Sequence, residues 1–158
     1  MRIELFEGFD YAQVEKIMAT GTQRILAPGA VLSESETVDE NLCVFLEGKL
    51  RIESADGVTL SDVTKVRVLG EMGVLTGQAR SSRVVAESST TILELTSDAS
   101  HSLVGENPEI AQRMLTNLCT VVYSRMHNVN REMVELRTER DALRQRMNEV
   151  APDDPLLK

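Results

Sequence analysis

The sequence predicts an α+β fold, with a β sandwich or small barrel between an N-terminal helix and one long C-terminal helix. Between residues 22 and 95, short apolar runs alternate with turn residues at close intervals, as in antiparallel β proteins. After Pro108, roughly forty residues pass without a glycine or proline, which exceeds the length of a typical globular helix. The 158 residues suffice for one well-cored domain plus an appendage.

The first twenty residues have the pattern of a helix. Val14, Ile17 and Met18 are spaced as on one helical face, and Asp10 precedes them as a suitable N-cap residue. Gly21 favours the end of this helix, because glycine readily leaves the helical conformation.

Six runs in the middle of the chain have the composition of β-strands. They are residues 23–26, 41–46, 49–53, 66–69, 83–86 and 91–95. Residues 27–30, 47–48 and 55–57 separate some of these runs and contain the glycine, proline and aspartate typical of turns. The spacing predicts about seven or eight short strands in all.

Two helices are predicted after the last strand. Ser97 and Asp98 can cap a short helix that continues through Leu103. The sequence Asn107-Pro108-Glu109 combines an N-cap residue, a proline at the first helical position and an acidic residue in the first turn. A second, much longer helix is therefore expected to begin there.

The apolar residues of the long helix advance in steps of four and three, as in a coiled coil. In one heptad register, Met126, Met133, Arg140 and Met147 occupy position a, and Val122, Val129, Leu136, Leu143 and Val150 occupy position d. Glu132 and Glu139 then occupy position g, opposite Arg137 and Arg144 at position e of a parallel partner. An amphipathic helix packed on its own domain does not require such sign-matched pairs. We therefore expect a parallel homodimer.

The negative charge is concentrated in the first part of the chain. Residues 1–106 carry nine Lys and Arg against 17 Asp and Glu, whereas residues 107–150 are nearly neutral. An acidic body repels a phosphodiester backbone, so a nucleic-acid partner is not expected. We expect a β-barrel domain over 1–106, a dimerisation helix over 107–150 and a flexible tail over 151–158. Without a membrane-spanning run or a secretory leader, the expected location is the cytoplasm.

The sequence contains few residues that could bind a metal ion or act in catalysis. Cys43 and Cys119 each lie in an apolar or helical pattern and are expected to be buried structural thiols. Two cysteines are too few for an iron–sulfur cluster within one chain, and His101 and His127 have no ligand-like spacing. We expect no metal, haem or iron–sulfur cluster, and no enzymatic activity.

The segment 68–86 carries the densest set of binding groups. An apolar strand runs into Gly70-Glu71-Met72-Gly73, and Arg80-Ser81-Ser82 leads back into a strand. An arginine offers two parallel donors to a phosphate, serine adds a hydroxyl, and a carboxylate accepts a hydrogen bond from a sugar hydroxyl. Taken singly, Arg80 is equally well explained as a solvated loop residue and Glu71 as a surface carboxylate. The combination predicts a site for a sugar phosphate.

The order and spacing of these residues resemble the phosphate-binding cassette of the cyclic nucleotide-binding domain family, which includes the bacterial catabolite activator. The resemblance covers about residues 5–130 and includes Pro28-Gly29 and the strand pair around Phe45–Leu50. It implies a β jelly roll, or double-stranded β-helix, in which Gly48 is a structural turn glycine. It also implies that Gly70, Glu71, Met72, Gly73, Arg80, Ser81 and Ser82 contact a cyclic nucleotide.

The same resemblance bears on the nucleobase. In the family the helix after the barrel closes over the base, which here places Arg125–Asn130 near it. Asn130 either hydrogen-bonds an adenine edge or faces solvent. The pair Ser81-Ser82 after Arg80 resembles the bacterial cAMP type and favours cAMP over cGMP, because a threonine commonly follows the phosphate arginine in cGMP-selective members. Arg83 is interpreted as a solvent-facing strand residue, with a second phosphate contact as the alternative.

Some residues depart from the family pattern. Ser35-Glu36 stands where the family often has Gly-Asp, and Ala79 where it often has proline, which changes loops rather than ligand groups. The catabolite-activator-like factors continue into a helix-turn-helix domain, for which the residues after the long helix leave no room. We expect a stand-alone receptor that passes ligand occupancy to a partner protein through its dimeric helix. The alternative is a scaffolding dimer that keeps the fold but does not sense a ligand.

Overall fold

The structure is a computed structural model that describes residues 3–63 and 68–150, with the backbone alone at residues 62 and 63. The chain divides into two compact units, residues 1–121 and residues 122–158. The first unit contains all the described strands, and the second contains the distal part of the last helix. The predicted tail over 151–158 and part of the predicted strand 66–69 lie outside the described residues.

The described residues form eight β-strands, with helices before, between and after them. The strands are β1 (Thr22–Leu26), β2 (Val31–Ser33), β3 (Leu42–Glu47), β4 (Leu50–Glu53), β5 (Thr59–Val63), β6 (Val68–Leu69), β7 (Arg83–Ala86) and β8 (Thr90–Leu95). The helices are α1 (Tyr11–Thr20), α2 (Glu71–Thr76), α3 (Ser97–Glu106) and α4 (Pro108–Val150), and a 3-10 turn covers Glu4–Phe6.

The eight described strands form two four-stranded sheets. One has the order β1-β8-β3-β6 and the other has the order β2-β7-β4-β5, and every pairing is antiparallel. This confirms the predicted jelly roll with an N-terminal helix and a long C-terminal helix. The strands β2 and β5, which the sequence did not locate, are the two edge strands of their sheet.

The sheet β1-β8-β3-β6 is covered on both faces. One face packs Val44, Leu93 and Leu95 against helical residues such as Ile17 and Leu118. The opposite face packs against the second sheet, with side chains that include Cys43, Phe45, Leu50, Val84 and Ile92. Strand β3 is central to this sheet, which explains its continuous apolar sequence.

The N-terminal segment is only partly the predicted helix. The helix α1 begins after Asp10, whose side chain accepts a hydrogen bond from Gln13 N in a capping box, and it ends at Gly21 as predicted. The residues before Asp10 form a 3-10 turn and a short extended stretch instead. Asn117 of α4 holds this stretch, because its Nδ2 donates to the carbonyl oxygens of Leu5 at 2.8 Å and Glu7 at 3.0 Å.

The two helices after β8 begin close to the predicted positions. The side chain of Thr96 caps α3 by accepting from Ala99 N at 3.3 Å, so the predicted capping by Ser97 and Asp98, which are the first two residues of the helix, was wrong. The helix α4 begins at Pro108, and the carbonyl of Asn107 accepts from Ala111 N as expected for an N-cap residue.

The two cysteines differ in burial. Cys43 is buried on β3, as predicted, whereas Cys119 is exposed on α4, so the prediction for Cys119 was wrong. The buried side of the first part of α4 consists of Ile110, Met114, Leu118 and Val121. Cys119 lies off this stripe, since one residue rotates the side chain by roughly 100° around a helix.

The second unit is the continuation of α4 to Val150. Its apolar heptad residues lie on the helix surface in the single chain; those exposed are Met126, Val129, Met133, Leu136, Leu143, Met147 and Val150. The coiled coil and the domain boundary at residue 106 stay predictions. Within the described residues, none of the helices combines the length and apolar character needed to cross a membrane.

Candidate ligand-binding site

Gly70 joins strand β6 to helix α2 and sets the geometry of the candidate site. Its φ is +88°, a left-handed conformation that glycine adopts without steric cost. A Cβ atom at this position would collide with Nη1 of Arg80 and with the carbonyl oxygen of Asn41, and would lie 2.8 Å from Cζ of Arg80. The Arg80 guanidinium therefore lies directly against the backbone of the Gly70 turn.

The first turn of α2 places three of the predicted site residues. Glu71 is the first helical residue and is only 5% exposed, whereas Met72 is exposed. Gly73 is buried, and a Cβ atom there would lie 2.5 Å from the carbonyl oxygen of Asp39. The segment that precedes β3 thus packs tightly against this short helix. A carboxylate in the first turn of a helix is also favoured by the helix dipole.

Arg80 is the most constrained side chain of the site. It is 10% exposed, and its Nη2 donates to Oδ2 of Asp39 at 2.9 Å and to the carbonyl oxygen of Asn41 at 2.7 Å. Its Nε atom is buried and has no hydrogen-bond partner among the described residues. The guanidinium therefore retains an unused donor, which is costly in a buried position.

The backbone around Arg80 is also fixed. Its N–H donates to the carbonyl oxygen of Thr37, and its own carbonyl accepts from Glu36 N, both at 2.8 Å. This pair of bonds joins the loop before β3 to the segment before β7. The hydroxyls of Ser81 and Ser82, which follow, lie 3.4 Å apart, with Ser81 the more exposed of the two.

Arg83 belongs to a different cluster. Its Nε donates to Glu34 at 3.0 Å and its Nη1 donates to Glu53 at 2.8 Å. Arg51 donates to the same Glu53 at 2.8 Å and to Glu87 at 3.0 Å. The hydrogen bonds from Arg83 and then from Arg51 hold the pKa of Glu53 below its usual value. These contacts commit the Arg83 guanidinium to carboxylates and support its interpretation as an outer strand residue.

Cys43, the second residue of β3, is influenced by charged side chains around it. The pKa of the Cys43 thiol is raised to about 12, mainly by burial, and then by the negative charge of Glu94, while Arg80 and Arg24 act in the opposite sense. Arg24 Nη1 lies 2.8 Å from Oε2 of Glu94. Cys43 is paired in register with Leu69, the residue before Gly70. The site therefore borders the buried Cys43 thiol of β3.

Two contacts of Arg80 were not predicted from the sequence. Asp39 and Asn41 were not considered, although a buried guanidinium requires an anionic or carbonyl partner. The acidic residues of segment 34–40 are a signal in the sequence that such a partner is close to Arg80. Asn130, in contrast, lies on the exposed surface of the second unit, and its suggested role at the base stays a prediction.

The assembled groups suit an anionic sugar derivative. Arg80 supplies a fixed positive charge, the Gly70 turn and the first turn of α2 supply backbone N–H groups, and Glu71 supplies an acceptor for a hydroxyl. In residues 3–63 and 68–150, no three His, Cys, Asp or Glu side chains are grouped so as to hold a metal ion.

The model of the cyclic nucleotide-binding domain family matches residues 23–107, which is more than half of the chain. This chain belongs to the cyclic nucleotide-binding domain family. The matched residues include β1 except for Thr22, the other seven described strands, α2, α3 and every predicted contact residue except Asn130. A search of curated proteins gave no match.

Solved structures of cyclic nucleotide-binding proteins have the same fold. A cyclic nucleotide-binding domain from Methylobacillus flagellatus aligns with a TM-score of 0.75 and 21% identity, over 84% of this chain and 77% of its own. Catabolite activator protein from Thermus thermophilus gives 0.71 and 22%, over 84% of this chain and 62% of its own. This chain therefore spans less than two thirds of that activator.

A third structure comes from a cyclic-GMP-dependent signalling pathway that regulates bacterial phytopathogenesis. It aligns with a TM-score of 0.64 and 21% identity, over 73% of this chain and 95% of its own. At 21–22% identity these three similarities establish the fold of this chain but do not identify its ligand.

Proposed function

We propose that this protein is a receptor for a cyclic nucleotide, and that cAMP is its ligand. The observation that carries the proposal is the contact of the Arg80 guanidinium with the Gly70 turn, directly beside the buried carboxylate of Glu71. A phosphate donor and a hydroxyl acceptor thus lie at one short helix. Membership of the cyclic nucleotide-binding domain family supports the same ligand class.

Each polar group of a cyclic nucleotide has a complementary group in the proposed site. The cyclic phosphate is bound by Arg80, the hydroxyl of Ser81 and the N–H groups of the Gly70 turn. The ribose 2′-hydroxyl donates to the carboxylate of Glu71. The Arg80 Nε atom, which is buried and has no partner in the part of the chain that the structure describes, gains an acceptor if the phosphate and the guanidinium adjust to one another.

The choice of cAMP rests on Ser81-Ser82, which follows Arg80 where cGMP-selective members of the family commonly have a threonine after the arginine. The neighbour from a cyclic-GMP-dependent pathway makes cGMP the competing ligand. Calorimetry with cAMP, cGMP and a cyclic dinucleotide compares them directly. We expect the tightest binding for cAMP. No heat with any of the three at millimolar concentration would favour the scaffolding alternative.

The proposed output is a change in the dimeric helix. Binding orders residues 70–79 and shifts the equilibrium between two positions of α4, and a partner protein reads that shift in the cytoplasm. The protein acts as a receptor rather than as an enzyme. Support for the dimer comes from the heptad pattern and from its sign-matched charges at Glu132, Arg137, Glu139 and Arg144.

The ligand contact is tested by replacing one arginine and not its neighbour. Arg80→Lys keeps the charge but removes the fork of parallel donors, so we expect nucleotide affinity to fall by about 10- to 100-fold. Arg83→Lys is the matched control, because Arg83 is three residues away and is held by Glu34 and Glu53. Equal affinities for the two folded variants, measured by calorimetry, would contradict the assignment of Arg80.

The dimer is tested by placing a charge on and off the heptad seam. Leu136 at position d and Val134 at position b are similarly exposed in the single chain, at 65% and 63%. Leu136→Asp should convert the dimer into a monomer, because it places a like charge on both helices of the seam. Val134→Asp should leave the dimer intact. Sedimentation velocity at micromolar concentration measures both, and a monomeric parent protein would refute the dimer.

A further inference from the structure

A cavity of about 450 Å³ lies beside α2, between that helix, α3, the first turns of α4 and the start of β3. All of its lining residues belong to the first unit of the chain. Its walls are largely apolar and include Leu42, Val74, Leu75, Met114 and Leu118. Both the volume and the apolar lining are those of a small-molecule site.

One side of the cavity carries polar groups from α3. The Oγ atom of Ser100 is buried and has no hydrogen-bond partner among the described residues. Nδ1 of His101 lies 2.8 Å from the carbonyl oxygen of Ser97. A carbonyl oxygen only accepts, so Nδ1 of His101 carries the proton in this contact. The cavity therefore combines an unused hydroxyl with an imidazole.

The charges of the lining define which ligands fit. Glu40 is its one carboxylate among the described residues, and no lysine or arginine is part of it. An anionic ligand such as a nucleotide is therefore disfavoured, and a water molecule would leave the apolar walls uncovered. A small uncharged molecule with a ring and a hydroxyl satisfies both the walls and the Ser100 hydroxyl.

We propose that this cavity is a second ligand site, which binds a small neutral phenol. The ring packs against Leu75, Met114 and Leu118, and the phenolic hydroxyl exchanges hydrogen bonds with Ser100 Oγ. The site is distinct from the cassette, since the cavity lining contains neither Glu71 nor Arg80.

The helix α2 connects the two sites. Glu71 is its first residue, and Val74 and Leu75 lie about one turn further on and line the cavity. A phenol that contacts Val74 and Leu75 biases the position of the helix that carries Glu71. This coupling, unlike the binding of the phenol itself, rests on the proposed function. Linkage requires the phenol to change cyclic nucleotide affinity by the same factor as the nucleotide changes phenol affinity.

The site is tested with p-cresol and with toluene, which lacks the hydroxyl, in the absence of nucleotide. In methyl NMR spectra, p-cresol should shift the signals of Leu42, Leu75 and Leu118, with a dissociation constant on the order of 1 mM or tighter. Ser100→Ala should weaken p-cresol binding about three- to tenfold and leave toluene binding unchanged. Ser102→Ala is the matched control, because Ser102 lies on the exposed side of α3 and bonds Glu106.

A second variant blocks the cavity. Ala111 is a small lining residue, and Ala111→Leu should abolish p-cresol binding while leaving the unfolding midpoint unchanged or higher. The proposal is overturned if p-cresol shifts none of the cavity methyl groups at millimolar concentration. It is also overturned if Ser100→Ala and Ser102→Ala have equal effects on p-cresol binding. Because these measurements contain no nucleotide, they test phenol binding even if the protein does not bind a cyclic nucleotide. A failure of phenol binding likewise leaves the proposed nucleotide function untouched.

Discussion

Replacing Gly70 with alanine is the most direct test of the site geometry. The added Cβ atom would occupy the space of Arg80 Nη1 and of the Asn41 carbonyl oxygen, at a residue whose φ is +88°. Gly77 ends the same helix with a φ of +65°, but a Cβ atom there has no neighbouring atom within 4 Å. Gly77→Ala therefore has a comparable backbone strain without the close approach.

The expected cost has two parts. Alanine in the left-handed conformation costs about 1 kcal/mol, and this part applies at both positions. At Gly70 the Cβ atom also displaces the Arg80 guanidinium from Asp39 and the Asn41 carbonyl, and hydrogen bonds to charged groups contribute about 1.5–3 kcal/mol each. With partial relaxation, Gly70→Ala should lower the free energy of unfolding by about 3–5 kcal/mol, against about 1 kcal/mol for Gly77→Ala.

Urea denaturation measures both stabilities, and calorimetry measures cyclic nucleotide binding by whatever remains folded. We expect Gly70→Ala to lose nucleotide binding and Gly77→Ala to retain it. If the two variants differ in stability by less than about 0.5 kcal/mol, the guanidinium does not occupy the position described here, and the reasoning fails.

Three further predictions concern other parts of the structure. Glu53 and Glu87 have lowered pKa values because basic side chains hydrogen-bond them. Their contribution to the free energy of unfolding is therefore full above pH 4.5 and is lost as the pH falls through their folded-state pKa values. In urea titrations at a series of pH values, Glu53→Gln should reduce the loss of stability at acidic pH. Iodoacetamide at pH 8 should alkylate Cys119 but not Cys43, whose pKa is about 12, and two adducts on the native protein in the mass spectrum would contradict this. Asn117→Ala should lower the free energy of unfolding by about 1–2 kcal/mol and accelerate hydrogen exchange in residues 5–9, and unchanged exchange there would contradict a role of the Asn117 side chain in holding this segment.

The jelly roll could be predicted because its central strands have a recognisable apolar pattern in the sequence. Strand β3 is buried on both faces and reads as a continuous apolar run, which only a covered sheet explains. The edge strands β2 and β5 are short or rich in polar residues, because an edge strand buries less of its surface. Their assignment depends on the strands that pair with them, which a local pattern does not contain.

The residues of the candidate site also differ in how far they could be predicted from the sequence. Gly70, Glu71 and Arg80 are close in sequence, so their spacing was sufficient to bring them together in prediction. Asp39 and Asn41 are about forty residues from Arg80, and only the folded chain brings them within hydrogen-bond distance. The exposure of Cys119 was missed for a related reason, since the buried stripe of α4 depends on which side faces the first sheet.

The arrangement of Arg80 links ligand binding to stability. A guanidinium that is 10% exposed must be paired, and Asp39 together with the Asn41 carbonyl compensates its burial through Nη2. Nε remains buried without a partner among the described residues, so the fold carries the cost of an unsatisfied donor. A sequence under selection for stability alone has no reason to keep such a donor beside a left-handed glycine turn. An anion that satisfies the donor removes this cost, and the same group then provides both affinity and the stabilisation that follows from binding.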